Sequence, residues 1–358
     1  MFSGQVVNAT SWSVPALTIT NSRIRFPSAG FRLSVTGDLV IAGPFAALEF
    51  GGRVDLPSDF YRADLFGVTS PVSLDVGGHL ILTNGRSMIV YAGITNSEVG
   101  PAGARVSVGG DLAIYTGSVL SVKSCPTNGS SVSITARRLR LAPGGMISSL
   151  AAGFAGGTKQ FGTGWGYGPG AGKDTSGRGG GGYGGTGGGY PTYGGATYGS
   201  PERPHLPGSG GSSGIYGRGG YGGGMIRIQV ADLLQVDGTI TVDGGLYVGN
   251  HSAGGSGGGI FLMGRRFQGS DTGRMTARGG NGYSSAYNDA GGGGGRIAVW
   301  FGDISDENVP SNRLVISTNP PPSYTGIFDV GGGTTYSGSR PGQPGTVQLF
   351  KFCDRPER

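Results

Sequence analysis

One recurring pattern restricts the fold of this chain more than any other feature. Two apolar residues flank one outward residue, a short polar step follows, and an apolar anchor closes the motif. It reads Leu33-Ser-Val35 to Leu39, Leu74-Asp-Val76 to Leu80, and Val106-Ser-Val108 to Leu112. One residue longer, it continues as Val132-Ser-Ile134 to Leu139, Ile226-Arg-Ile228 to Leu233, Ile260-Phe-Leu262 to Phe267, and Ile297-Ala-Val299 to Ile304. The anchors are 41, 32, 27, 94, 34 and 37 residues apart, so one repeat carries a large insertion. A second short apolar segment follows each anchor, as in Leu48-Glu-Phe50, Ile89-Val-Tyr91, Leu120-Ser-Val122, Ile147, Ile240-Thr-Val242, Met275-Thr-Ala277 and Leu314-Val-Ile316.

Alternation over four to six residues marks half-buried strands, and Gly, Asn and Pro punctuate them. Helical periodicity of any length is absent. Three short strands per repeat, stacked in series, predict an all-β fold: a right-handed parallel β-helix (solenoid) with three strands per coil and glycine-rich loops packed on one side. A propeller would need four strands per repeat. The expected organisation is one elongated domain over 1–358, with 153–224 as a Gly/Tyr-rich insertion between coils four and five. The seven anchors should form one inward stack. The column just before them, Asp38, His79, Asp111, Arg138, Asp232, Arg266 and Asp303, should point outwards, where alternating charges attract at strand spacing.

Composition narrows the classes further. Gly and Pro make up 99 of 358 residues, as in low-complexity chains, yet only 13% are charged and 36% are hydrophobic. That balance excludes a disordered polyelectrolyte. Collagen is excluded because no strict Gly-X-Y period runs through the chain. No apolar run is long enough for a membrane-crossing helix, and Met1 to Thr20 lacks the layout of a signal peptide. If the protein is secreted, the chain is expected to be a processed product or a piece of a longer one. Residues 153–224 hold 32 Gly and seven Tyr. Without Cβ atoms to hold backbones apart, such segments are expected to pack side by side as extended, polyproline-II-like strands.

Motifs for chemistry are sparse. Gly172-Lys173 is followed by Asp174, not Ser or Thr, so a phosphate loop fails. The G-x-S-x-G matches at Ser212 and Ser256 lack a following helix, so they do not make nucleophile elbows. His79, His205 and His251 form no ligand spacing, and Cys125 and Cys353 are too few for a disulfide framework. Asp237 and Asp243 are read as turn caps, with calcium ligation as the lesser alternative. No cofactor or metal is expected. Exposed aromatic rings suit glycan contact, since they offer flat apolar faces with a polar handle. The candidates are Trp165, Tyr167, Tyr183, Tyr190, Tyr193 and Tyr198, with Trp300 beside them.

The segments Gly208-Ser-Gly-Gly211, Gly222-Gly-Gly-Met-Ile-Arg-Ile228, Val236 to Gly245, Gly255 to Leu262 and Gly291 to Val299 resemble one family. It comprises the large secreted glycine-rich β-helix surface proteins, which are adhesin-like or like autotransporter passengers. The likeness covers about residues 105–350 and brings no catalytic residue with it. It implies a non-catalytic structural or adhesive protein, extracellular or at the cell surface. Expected partners are copies of itself or adjoining domains end to end and a surface polysaccharide, with no nucleic acid and no membrane span. The rival is a polysaccharide lyase or hydrolase acting on an acidic polysaccharide, which would need clustered carboxylates. The chain has 16 Asp but only five Glu, most at corner or turn positions.

Overall fold

The computed structural model describes residues 10–26, 28–43, 45–51, 71–93, 102–159, 163–175, 177–189, 193–284, 288–302, 314–317, 320–335 and 340–352. Every regular element among them is a strand. The first three repeats give β1 (Ser11–Val14), β2 (Leu17–Ile19), β3 (Arg23–Phe26), β4 (Arg32–Val35), β5 (Leu39–Ile41), β6 (Ala47–Phe50), β7 (Ser73–Val76), β8 (Leu80–Leu82) and β9 (Ser87–Tyr91). Next come β10 (Ala102–Val108), β11 (Asp111–Ile114), β12 (Val119–Lys123), β13 (Ser131–Leu141) and β14 (Met146–Ser148). The glycine-rich region contributes only β15 (Gly217–Arg218) before β16 (Met225–Val236), β17 (Thr239–Thr241) and β18 (Val248–Gly249). The remainder are β19 (Gly259–Gly264), β20 (Arg266–Gln268), β21 (Arg274–Thr276), β22 (Arg296–Gly302), β23 (Leu314–Ser317), β24 (Ile327–Asp329) and β25 (Thr346–Phe352).

The expected right-handed parallel β-helix with three strands per coil is corrected. The spine of the main sheet is nine parallel strands, β1-β4-β7-β10-β13-β16-β19-β22-β25, in a nearly closed, barrel-like arrangement. Its first and second strand positions are not separate walls, because β13 and β16 each run unbroken through both. The second-position strands β2, β5, β8, β11 and β20 therefore join the same sheet. An eight-stranded sheet, β24-β21-β17-β14-β12-β9-β6-β3, forms the other wall. Leu314–Ser317 also departs from the repeat, since β23 runs antiparallel to β25. Its expected place beside Met275 is taken by Phe328 of β24.

The repeat nevertheless sets the register. Leu39, Leu80, Leu112 and Leu139 lie opposite one another on successive parallel strands, and all are fully buried. A register shift between Ala136 and Arg138 then moves the alignment by one residue. Leu234 consequently faces Leu139 and Phe267, so it, and not Leu233, is the inward anchor. Ile304 and Asp303 lie outside the described residues. Inward residues of both sheets meet in one apolar core that runs from Ile19 to Leu349. Phe26 and Phe31 stack at 4.7 Å near one end, and Phe267 and Tyr324 stack at 4.4 Å near the other.

The polar corner column links one repeat to the next. Asp38 Oδ1 accepts the His79 N–H at 2.7 Å, and His79 Nδ1 accepts the Asp111 N–H at 3.0 Å. Arg138 and Arg140 donate to the two oxygens of Asp111 at 2.7 and 2.9 Å, and Arg266 forks onto Asp232. Burial works to raise the Asp111 carboxyl pKa, but the Arg138 and Arg140 hydrogen bonds outweigh it and hold the group below its ordinary value. Asp237 and Asp243 use the same device, accepting the N–H groups of Ser270 and Arg278 at 2.7 and 2.8 Å. They cap across repeats, where a local turn cap was expected.

The glycine-rich segments are packed in a three-residue rhythm. Ala253 and Ser256 donate to Ser212 and Ser209, Gly254 and Gly257 to Ala290 and Gly293, and Gly255 and Gly258 to Gly245 and Val242. Every third N–H thus meets the same neighbour, and one segment is held by three others. A backbone with three residues per turn and no internal hydrogen bonds has this property. The same period appears where Gly219 and Gly222 donate to Gly157 and Phe154, and Gly220 and Gly223 to Ala253 and Ser256. A Cβ at Gly254, Gly255, Gly257 or Gly258 would overlap a neighbouring carbonyl, which is why glycine fills these positions. Ser209, Ser212, Ser213, Ser252 and Ser256 are the small exceptions, all fully buried.

Candidate aromatic binding edge

The array both hides and presents aromatic rings. Tyr183 and Tyr193 are fully buried, so neither can offer a face to a ligand, which corrects their place among the glycan contacts. Burial pushes the Tyr183 phenol far up. Tyr198 is half-buried and spends its hydroxyl inside, donating to the Pro207 carbonyl and accepting from Ser209 Oγ at 2.9 Å. Tyr190 lies outside the described residues.

Trp300 is also corrected, from an exposed ring to a buried one. It joins Met225, Phe261, Met263, Ala298 and Phe350 in a second apolar cluster. Residues 198–207 seal this cluster. Trp300 Nε1 donates to the Glu202 carbonyl at 3.0 Å, and the Arg203 guanidinium sits 4.6 Å over the indole. Arg296, itself buried, donates to the Tyr198 carbonyl at 2.8 and 3.0 Å and to the Tyr183 carbonyl at 3.3 Å. Its burial lowers its pKa, and it serves as a clamp between the insertion and β22.

Two rings remain open. Trp165 and Tyr167 are 44% and 45% exposed. The backbone around them is nonetheless held. Tyr167 donates to the Ala155 carbonyl and accepts from the Gly210 N–H, at 2.9 and 3.0 Å, while Gly166 donates to Gly172 at 2.9 Å. Trp165 Nε1 reaches the Asp174 carbonyl at 3.3 Å, and Lys173 Nζ stands 5.5 Å from the ring centroid. Tyr221 lies close by; burial raises its phenol pKa, Arg218 lowers it and Tyr167 adds to the rise. The Ser213 N–H to Gly164 carbonyl bond, 2.7 Å, brings a second exposed stretch alongside. There Ile215 and Tyr216 are 66% and 73% exposed. The antiparallel β15–β18 ribbon adds Val248, flanked by Leu246, both exposed. Sequence reasoning missed Ile215, Leu246, Val248 and Arg218; the apolar residues standing alone among glycines were the available signal.

Behind the rings lies a charged knot. Arg178 Nε stands 3.6 Å from Asp174 and 4.0 Å from Asp289, and Lys159 pairs with Asp174 at 2.7 Å. Asp289 is fully buried and accepts the Ser284 N–H at 3.2 Å. Desolvation pushes its carboxyl pKa up to about 6, against the pull of backbone N–H groups and of Arg178 and Arg340. Neither carboxylate is open to a substrate, since their side chains are only 4% and 0% exposed. Ser212 and Ser256 place their hydroxyls on backbone carbonyls, Lys173 and Gly179 for the first and Ser209 for the second. Among the described residues no three His, Cys, Asp or Glu side chains converge. Comparison with protein-family models, with curated proteins and with solved structures gives no match for this chain.

Proposed function

We propose that this chain is a non-catalytic structural or adhesive protein whose glycine-rich array presents rigid aromatic rings to glycans outside the cell or at its surface. The observation that carries the reading is the state of Trp165 and Tyr167, both nearly half exposed, the first with its indole N–H on the Asp174 carbonyl and its flanking glycines hydrogen-bonded, the second with both its backbone groups hydrogen-bonded. A ring ordered in advance binds without the entropic cost of ordering. The flat face of a sugar ring suits an indole or phenol face. The extracellular setting rests on the resemblance of the glycine-rich segments between residues 208 and 299.

Screening against immobilised neutral glycans tests this. Wild type should retain a subset, and Trp165→Ala with Tyr167→Ala should weaken retention at least about tenfold, on the scale of losing buried ring contact. Retention by no glycan, or equal retention by the variant, refutes the reading. The lyase or hydrolase alternative predicts new chain ends when acidic polysaccharide is incubated with the protein. The burial of Asp174 and Asp289 argues against it. Assembly is part of the same proposal. On the outer side of β1–β3 no strand pairs among the described residues, so a second copy or adjoining domain would add there. The expected addition at Val347 to Phe352 meets an edge already occupied by β23. Sedimentation at rising concentration checks for the dimer.

A further inference from the structure

On the outer face of the eight-stranded sheet, far along the sequence from the ring edge, lies a groove of about 330 Å³ lined by Arg23, Phe45, Glu49, Arg86, Ser87 and Ile89 among others. Two cross-strand rows build it. In one, Arg23, Ala47 and Ser87 lie opposite one another on β3, β6 and β9. In the other, Arg25, Glu49 and Ile89 do so. The small Ala47 side chain between longer neighbours leaves the trough.

Its electrostatics are one-sided. Glu49 is the only carboxylate among the lining residues, and it is buried and already committed. It accepts from Arg23 Nη2 at 2.9 Å and Arg25 Nη2 at 3.0 Å. Tyr91 sits beside it, with a phenol raised by burial and by the Glu49 charge. Lys123 faces Tyr91 in register, and burial lowers its ammonium pKa. One carboxylate shared between the two guanidiniums of Arg23 and Arg25 leaves positive charge over. The Arg23 side chain is 62% exposed, so part of its five-donor fork faces solvent. Phe45 stands at the rim 74% exposed.

We propose that this groove binds a carboxylate-bearing oligosaccharide. The carboxylate takes the planar fork of an arginine. The apolar face of the sugar lies on Phe45, and Ser87 meets one of its hydroxyls. The volume is at the small end of ligand sites, room for a short stretch of a longer chain. This site is separate from the Trp165 edge and stands or falls independently of it.

Calorimetric titration with a uronic acid hexamer and with its fully methyl-esterified form decides the matter. The free acid should bind, more weakly as salt rises, and the ester should bind at least about tenfold less well. Arg23→Gln combined with Phe45→Ala should weaken the free acid at least about tenfold, and Trp165→Ala should leave it unchanged. Phe45→Ala alone, which leaves the Glu49 pairs intact, provides a second variant should the double change disturb folding, and it too should weaken binding. Equal binding of acid and ester, no binding of the acid at millimolar concentration, or wild-type binding by both groove variants overturns the proposal. Loss with Trp165→Ala alone would move acid binding to the ring edge and overturn it as well.

Discussion

Replacing Gly255 with Ala is the sharpest test of the glycine array. Gly255 donates to the Gly245 carbonyl at 3.1 Å and accepts from the Gly280 N–H at 2.8 Å. An added methyl would overlap the Tyr221 carbonyl and press on Gly220, all of it backbone that no rotamer change can move. Overpacking of this kind costs about 1–3 kcal/mol. Each hydrogen bond stretched by the separating segments adds about 0.5–1.5 kcal/mol. Against this, Ala restricts the unfolded chain and returns about 0.4–1 kcal/mol. The net expectation is a loss of about 2–4 kcal/mol. Gly331 is the control, because its Cβ would meet only Asp329 Oδ1 at 3.3 Å. Gly331→Ala should be nearly neutral. Urea unfolding gives the total effect, and amide exchange at Gly245, Gly255 and Gly280 reports local opening. If Gly255→Ala stays within about 0.5 kcal/mol of the control, with unchanged exchange, the close-packed account of the array is wrong.

Two further outcomes follow from the core and the charged knot. Leu112→Ala removes a fully buried side chain between Leu80 and Leu139 and should cost about 2–5 kcal/mol in chemical denaturation, a value near zero meaning the site collapses freely. Because the folded pKa of Asp289 is raised to about 6, its contribution is complete at low pH and is lost as pH climbs through that value. Melting temperature followed from pH 4.5 to 7.5 should fall across this window in wild type and run flatter in Asp289→Asn; parallel curves would refute the assignment.

The strands were legible because alternation shows directly which residues share a face. Leu33, Val35, Leu39, Ile41, Leu48 and Phe50 are all inward, as their spacing requires. The anchor at Leu234 was not legible. Leu233 and Leu234 are adjacent and equally apolar, and only the register shift between strands chooses between them. The division into walls was hidden for a related reason: whether a corner breaks a strand depends on backbone angles, and β13 and β16 pass through without a break. Among the aromatic candidates, composition could not tell a ring that covers backbone, such as Tyr183, from one left outside, such as Trp165. That depends on which segment lies next to it, and partners such as Arg296 come from more than a hundred residues away.

The array and the apolar core should also respond differently to temperature. Exposing apolar surface raises heat capacity, while exposing peptide groups lowers it. Opening the neighbourhood of Ala253 to Gly258 uncovers chiefly amides and carbonyls, so its heat-capacity change is small or negative. Its stability therefore declines almost linearly on warming and keeps growing on cooling. The core behind Leu80, Leu112 and Leu139 follows the usual dome, strongest at about 10–20 °C and weaker on either side. One chain thus joins a part that tightens in the cold to a part that loosens there, and the Arg296 clamp couples the two.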